Sequence, residues 1–329
     1  MSLDSWPGPW WMTDPRVRLD RVPIQGTNDH LRVLRDDLLD PLASGNKARK
    51  LDGWLPLLQR EGVDTLVTCG GVQSSWTTAL AAWGAAAGLQ THVLARGEAP
   101  TPLTGYAALT ALFAEVHRVD RDRYAAREGE MEALAASLRA RGRKVALLPE
   151  GGRALPGLYG YLRLIDRLLL EIDDPFSQRL TLVIDCGTGT SAAGLAIGIA
   201  RHKLPWEIHG VMLLPGQHEA FETTLRQLAA SFEATHGALR AQPTVLWCER
   251  ARARRFGDYD DDDLRAIRDV ARTTGVLLDP IYTLAAWQHA ANLSKRERAR
   301  AILLHSGGQL GVLGVAQRSP HWLSPPPRS

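Results

Sequence analysis

Short apolar runs and longer segments with one apolar face take turns along this chain. The runs at 65–69, 90–95, 115–119, 144–148, 179–185, 206–213 and 301–305 have the length and β-branched content of strands covered on both faces. Helical periodicity predicts helices at 50–60, 79–88, 102–113, 127–141 and 159–172, one ending at His202, and two at 220–236 and 263–274. In the first of these, Leu51, Trp54, Leu55, Leu57 and Leu58 carry the pattern, and Gly53 and Pro56 interrupt it. Ahead of it, residues 16–22 alternate and residues 31–37 read as a hairpin strand. Strands alternating with helices predict an α/β fold of βαβ units, with mostly parallel sheets and helices on both faces. No internal repeat stands out, and the one biased segment is the proline tail at 325–327.

On such sheets, ligands sit where strand C-termini meet the following loops. Loops rich in Gly, Ser or Thr follow strands at 70–78, 149–157, 186–194 and 306–308. At 186–194, Gly187 and Gly189 admit close approach of the backbone, and Thr188, Thr190 and Ser191 supply hydroxyls before a helix start. That arrangement suits a phosphate. No Gly-Lys-Ser/Thr occurs, so it is not a P-loop. The same loop matches G-x-G-x-x-A through Ala192, with Glu207 placed as a ribose-binding acid, so a dinucleotide-binding oxidoreductase remains an alternative. The loop at 70–78 offers Gln73, Ser74 and Ser75 at a helix start, which suits a carboxylate. The plainer reading is capping by the two serines. Trp76 belongs either to the core or to a pocket wall.

The stretch Ser44-Gly45-Asn46-Lys47-Ala48-Arg49-Lys50 has cap residues and a turn glycine, so a helix should start here. An amine among cations at a helix start has a lowered pKa and can attack a carbonyl. The plainer alternative for Lys47 is a basic turn facing water.

Composition removes several classes. The 329 residues, 45% hydrophobic and 23% charged, suit one large or two medium globular domains. A net charge of +3 is too mild for a nucleic-acid partner. The arginines at 252, 254 and 255 are balanced by the aspartates at 258 and 260–263. Cys69, Cys186 and Cys248 lack disulfide or metal-site spacing, which points to a reducing cytoplasm and no metal. The N-terminus, with Trp6, Trp10 and Trp11 among prolines, does not read as a secretory signal, and no run of about twenty apolar residues predicts a membrane span.

A candidate lysine, a phosphate cradle and a carboxylate cradle on one parallel sheet fit pyridoxal 5'-phosphate, which needs a lysine, a phosphate anchor and a partner for its ring nitrogen. Residues 45–51, 70–74, 150–152, 187–194, 279–283 and 305–308 resemble, in order and spacing, the landmarks of the family of 1-aminocyclopropane-1-carboxylate deaminase and D-cysteine desulfhydrase. The resemblance spans about residues 15–315. It implies the tryptophan-synthase-β-like fold (fold type II) with two open, twisted, mostly parallel sheets. The large domain would comprise 1–51 plus 161–329, and 52–160 would be a small inserted domain. It implies that Lys47 forms the internal aldimine and moves the substrate α-proton. Lys50 and the loop from Gly187 through Thr188, Gly189 and Thr190 to Ser191 would hold the phosphate. Asn46, Ser75, Thr283 and Ser306 would surround the cofactor. Ser74 would take the substrate carboxylate, with Ser75, Trp76, Gly152 and Phe256 lining the substrate pocket, and Tyr282 would act as acid, base or positioning group. A small α-amino acid substrate and a homodimer complete the expectation.

Departures from the family pattern tilt the chemistry. Ser75 stands where the family carries Asn, and Trp76 narrows the pocket. Phe256 stands where the deaminase has Tyr, so ring opening is doubtful; Tyr259 is near but out of register. Thr283 replaces the Glu that keeps the ring nitrogen protonated, which favours β-elimination. A pyridoxal-phosphate-binding protein without catalysis is a further alternative.

Overall fold

The computed structural model describes residues 18–98 and 100–323; the N-terminal tryptophans and the proline tail lie outside these. β1 (Leu19–Pro23) and β2 (His30–Leu34) form an antiparallel hairpin. Then come α1 (Ser44–Arg60), β3 (Thr65–Gly71), α2 (Ser75–Ala86), β4 (Gln90–Arg96), α3 (Gly105–Phe113), β5 (Glu115–Val119), α4 (Arg121–Ala125), α5 (Arg127–Ala140) and β6 (Val145–Leu147). The second half holds α6 (Tyr159–Glu171), β7 (Thr181–Cys186), α7 (Thr190–His202), β8 (Glu207–Met212), α8 (His218–His236) and β9 (Leu246–Glu249). It ends with α9 (Asp261–Thr274), α10 (Thr283–Asn292), α11 (Lys295–Arg298), β10 (Ala301–Leu304) and α12 (Gln309–Arg318).

Two sheets result. One runs β5-β4-β3-β6 and is parallel throughout. The other runs β1-β2-β10-β7-β8-β9 and is parallel except at β1. Alternate strand residues feed opposite layers. Leu182, Ile184, Ile302 and Leu304 join the core under α6, α7 and α8, whereas Val183, Ala301 and Leu303 join the core under α9 and α10. Both faces are dry, which is why these strands read as unbroken apolar runs.

Each sheet reverses its strand order once. β4 and β5 extend from one side of β3 and β6 pairs on the other; β8 and β9 extend from one side of β7 and β10 pairs on the other. The loops after β3 and β6, and after β7 and β10, therefore part at switch points, where a crevice opens.

α1 is longer than its periodicity indicates. It starts at Ser44, with no side-chain cap from Ser44 or Asn46, and Ser44 itself has φ 58°. The first turns of α1, where the cap residues and turn glycine place the helix start, are charged yet buried: Arg49 is 5% and Lys50 2% exposed. Arg49 forms a bidentate ion pair with buried Asp36. Pro56 leaves the Asp52 carbonyl without its helical donor. Arg163 Nη2 supplies one at 3.3 Å, so the helix continues through the proline. Gly53 is required because a Cβ there would overlap the Pro156 carbonyl oxygen. The interior of α1 packs with Leu66, Trp76 and Leu80 of the four-stranded half. The expected boundaries at 51/52 and 160/161 both fall inside helices, α1 and α6.

β9, α10 and α12 escaped the reading from periodicity. Among the described residues, no helix is long and apolar enough to cross a membrane.

Candidate active site

The switch points of the two sheets face one cleft of about 630 Å³. Its wall takes Gly71, Ser74 and Ser75 from the end of β3, Gly151 from the end of β6, and Gly187 to Gly189 from the end of β7. Lys47 enters from the first turns of α1 and borders both this cleft and a smaller recess that reaches Ser306 to Gly308. The basic turn facing water is thereby excluded for Lys47. Its burial lowers the amine to about 8, with the charges of Asp185 and Asp279 pulling the other way.

Asn46 is fixed next to it. Its N–H donates to the Ser306 carbonyl at 2.9 Å. Its Oδ1 accepts from Tyr161 Oη and Ser191 Oγ, both at 3.0 Å. The amide NH₂ is then the group Asn46 offers to the cleft. Lys50 also borders the cleft, but its Nζ donates to the Gly151 carbonyl at 2.7 Å. Burial and the nearby Lys47 charge push its pKa well down.

The loop after β7 ends in Gly189, at φ 74°, as the N-cap of α7. Glycine has no side chain with which to cap, and no acidic residue lies in the first turn. The free N–H groups of that turn and the positive end of the helix dipole face the cleft. A Cβ on Gly189 would press to 3.2 Å of the Phe221 ring. Thr188 and Ser191 border the cleft. Thr190 is fully buried behind it, its hydroxyl 3.1 Å from that of Thr188. The dinucleotide alternative fails on position. Glu207 pairs with Thr181, and Met212 with Cys186, so Glu207 lies at the far end of β8, about 16 Å from the loop.

Ser74 caps α2, accepting weakly from Thr77 N at 3.4 Å, and borders the cleft with Ser75. Trp76 takes both expected parts: it is 2% exposed, with Nε1 donating to Thr68 Oγ1 at 3.0 Å, and its ring still reaches the cleft wall. Gly152 does not line the cleft. It is buried behind Trp76, where a Cβ would meet the indole at 2.8 Å, and Gly151 takes the lining place. Phe256 is half exposed at the mouth and meets Tyr282 edge-on, ring centroids 5.9 Å apart. Tyr259 also borders the cleft, despite its sequence offset.

Thr283 departs from expectation. Its hydroxyl accepts from Asp279 N at 2.8 Å and donates to Asp279 Oδ2 at 2.8 Å, so both roles are filled beneath the wall. Asp279 also accepts from the N–H groups of Ile281, Tyr282 and Thr283, which fixes Tyr282 at the head of α10. The phenol of Tyr282 is pushed well above its usual pKa, first by burial and then by Asp279 and Asp185. Ser306 Oγ donates to Asp185 Oδ1 at 2.5 Å. Burial raises Asp185 to about 6, against that hydrogen bond.

Asp185 and Asp279 are the residues that the sequence did not single out. A carboxylate one residue before the end of an apolar strand, ahead of a glycine loop, is the signal that marks Asp185.

The model for pyridoxal-phosphate-dependent enzymes matches residues 14–307. A putative mitochondrial D-cysteine desulfhydrase 2 of Oryza sativa subsp. japonica is 35% identical over 89% of this chain and 81% of its own. The D-cysteine desulfhydrase of Klebsiella pneumoniae is 27% identical over 89% of this chain and 94% of its own. Among solved structures, an ACC deaminase homologue superposes with TM-score 0.83 at 22% identity, covering 98% of this chain and 97% of that one.

Proposed function

Because the chain belongs to the pyridoxal-phosphate-dependent enzymes, in the branch of D-cysteine desulfhydrase and 1-aminocyclopropane-1-carboxylate deaminase, we propose that it is a lyase acting on a small α-amino acid by desulfhydrase-like β-elimination. The observation that carries this is an amine with its pKa lowered to about 8 in a cleft that also holds the uncapped N-terminus of α7. The residues fit the cofactor: glycine at the N-cap and free first-turn N–H groups suit a phosphate. Lys47 would hold the aldehyde carbon, and Gly187 to Ser191 the phosphate, with Thr188 adding a hydroxyl. When bound, the cofactor supplies an electron sink for the pair left on the substrate α-carbon.

The chain's own groups do the rest. Lys47 Nζ, neutral in part near pH 7, takes the α-proton. The first-turn N–H groups of α2, with Ser74 and Ser75, bind the substrate carboxylate. The Tyr282 phenol stays protonated, and Asp279 holds the residue through its backbone N–H, so the phenol can position the ring or donate to a leaving group. Ser306 spends its proton on Asp185, so toward a ring nitrogen it offers a lone pair, which favours a protonated nitrogen. This reverses the electronic effect anticipated from Thr283, so β-elimination rests on the similarity to desulfhydrases and on Phe256, not on a neutral ring nitrogen. Phe256 has no proton to exchange, which disfavours ring opening. Residues 52–160 as an inserted small domain, a homodimer and a reducing compartment belong to the same proposal; all three cysteines are free.

The test is the purified yellow enzyme, screened for spectral response and for sulfide and ammonia release with D- and L-cysteine. Sulfide release that vanishes in Lys47→Ala is expected. Colour without response to any amino acid would instead favour a non-catalytic binder.

A further inference from the structure

Away from the cleft, side chains from three elements converge on one face of the larger sheet. His209 lies in β8, Cys248 in β9 and His289 in α10. His209 pairs with Leu246 across the ladder, so Cys248, two residues on, is its diagonal neighbour on the same face. His289 comes down from the helix packed over that face. His209 Nδ1 and His289 Nε2 are 3.0 Å apart, their rings crossed at 68°. One ring nitrogen of each histidine and Cys248 Sγ all lie within 4.8 Å of one another. The cleft end of β8 is three residues away, about 10 Å.

We propose that His209 Nδ1, Cys248 Sγ and His289 Nε2 bind one borderline-soft divalent metal ion of the zinc class, with water in the fourth position. Two imidazoles and a thiolate select such an ion over hard cations, which take oxygen ligands. Bond lengths of about 2.1 Å to nitrogen and 2.3 Å to sulfur set tetrahedral separations near 3.4 and 3.6 Å. The imidazoles need only part by about 0.4 Å, and Cys248, partly exposed on the edge strand, swings inward. Its thiol proton, now directed at the Leu246 carbonyl, leaves to solvent as the Sγ–metal bond forms. The proton shared by the imidazoles moves to the far nitrogen of its ring, so one proton is released per ion.

The surrounding charge agrees. Burial shifts both imidazoles toward the neutral form that ligands need, while Glu297 acts on both rings and Glu207 on His209 in the sense that favours a cation. A second cluster, His92, Glu115 and His117, also brings ligand atoms together. There Arg141 and Arg143 act against a cation. The bound ion would tie edge strand β9 to β8 and to α10, whose first turn follows Tyr282.

The test titrates chelator-treated, cofactor-loaded enzyme with Co²⁺ and then Zn²⁺. One Co²⁺ per chain is expected, with tetrahedral visible bands, a thiolate charge-transfer band and displacement by Zn²⁺. Cys248→Ser and His289→Ala, each checked for native circular dichroism and retained cofactor colour, should each weaken binding more than about 100-fold, beyond what loss of a supporting group costs. Should Cys248→Ser not fold, protection of the Cys248 thiol from alkylation by Zn²⁺ in the wild type serves instead. Absence of stoichiometric binding, unchanged affinity in both variants, no thiol protection, or loss of the ion in His117→Ala would each overturn the proposal.

Discussion

The lowered pKa of Lys47 sets the rate at which cofactor-free enzyme captures pyridoxal phosphate, because only the neutral amine attacks an aldehyde. An ordinary lysine near 10.5 is neutral in roughly 0.03% of molecules at pH 7. At about 8, the neutral share is roughly 10%, a gain of about 300-fold from 2.5 pH units. The assay is the rate of growth of the bound-cofactor absorbance from about pH 6 to 10, with Lys47→Ala as the blank. The logarithm of the rate should climb with unit slope and level near pH 8. Asp185 raises this pKa, so Asp185→Asn, which can still accept from Ser306, should move the bend below 8. The same shift has a sign in stability: the unfolded chain holds this proton more tightly than the folded one. Stability of the cofactor-free protein should therefore rise from about pH 8 to 10.5, and this increment should be missing in Lys47→Met. A rate still climbing with unit slope past about pH 9.5, or a bend moved upward in Asp185→Asn, would refute the reasoning.

Two further substitutions separate scaffold from site. Arg49→Ala strands Asp36, 4% exposed, without its cation and should cost about 3–5 kcal/mol in urea unfolding, although neither residue borders the cleft. Phe256→Tyr, at a half-exposed position, should leave stability within about 0.5 kcal/mol and add ammonia release from 1-aminocyclopropane-1-carboxylate; no release would place the block at Ser75 and Trp76 as well.

The parts legible from the chain were those whose cause is local. Apolar strand runs, glycine loops after them and helices after those depend on neighbours a few residues away, so the α/β architecture and the loop at 187–191 could be read directly. The misreadings share one origin. Counting about twenty residues from the glycine loop ignores where a strand starts, and Glu207, the first residue of β8, therefore lies at the end away from the loop. Nor can residue spacing say what already satisfies a hydroxyl, and Thr283 was spent on Asp279. The charged start of α1 looked solvated because the partner that buries Arg49, Asp36, comes from a separate turn and the acceptor for Lys50, at Gly151, from far along the chain.

By itself the sequence determined the order of strands and helices and the backbone freedom at Gly189, because these follow from side-chain shape and from φ and ψ. Only the tertiary structure decided that two sheets turn their switch points to one cleft, that Asp185 and Ser306 stand beside the Lys47 amine, and that His209, Cys248 and His289 meet. Those placements rest on strand order and on low-dielectric burial, which exist only once distant segments pack together.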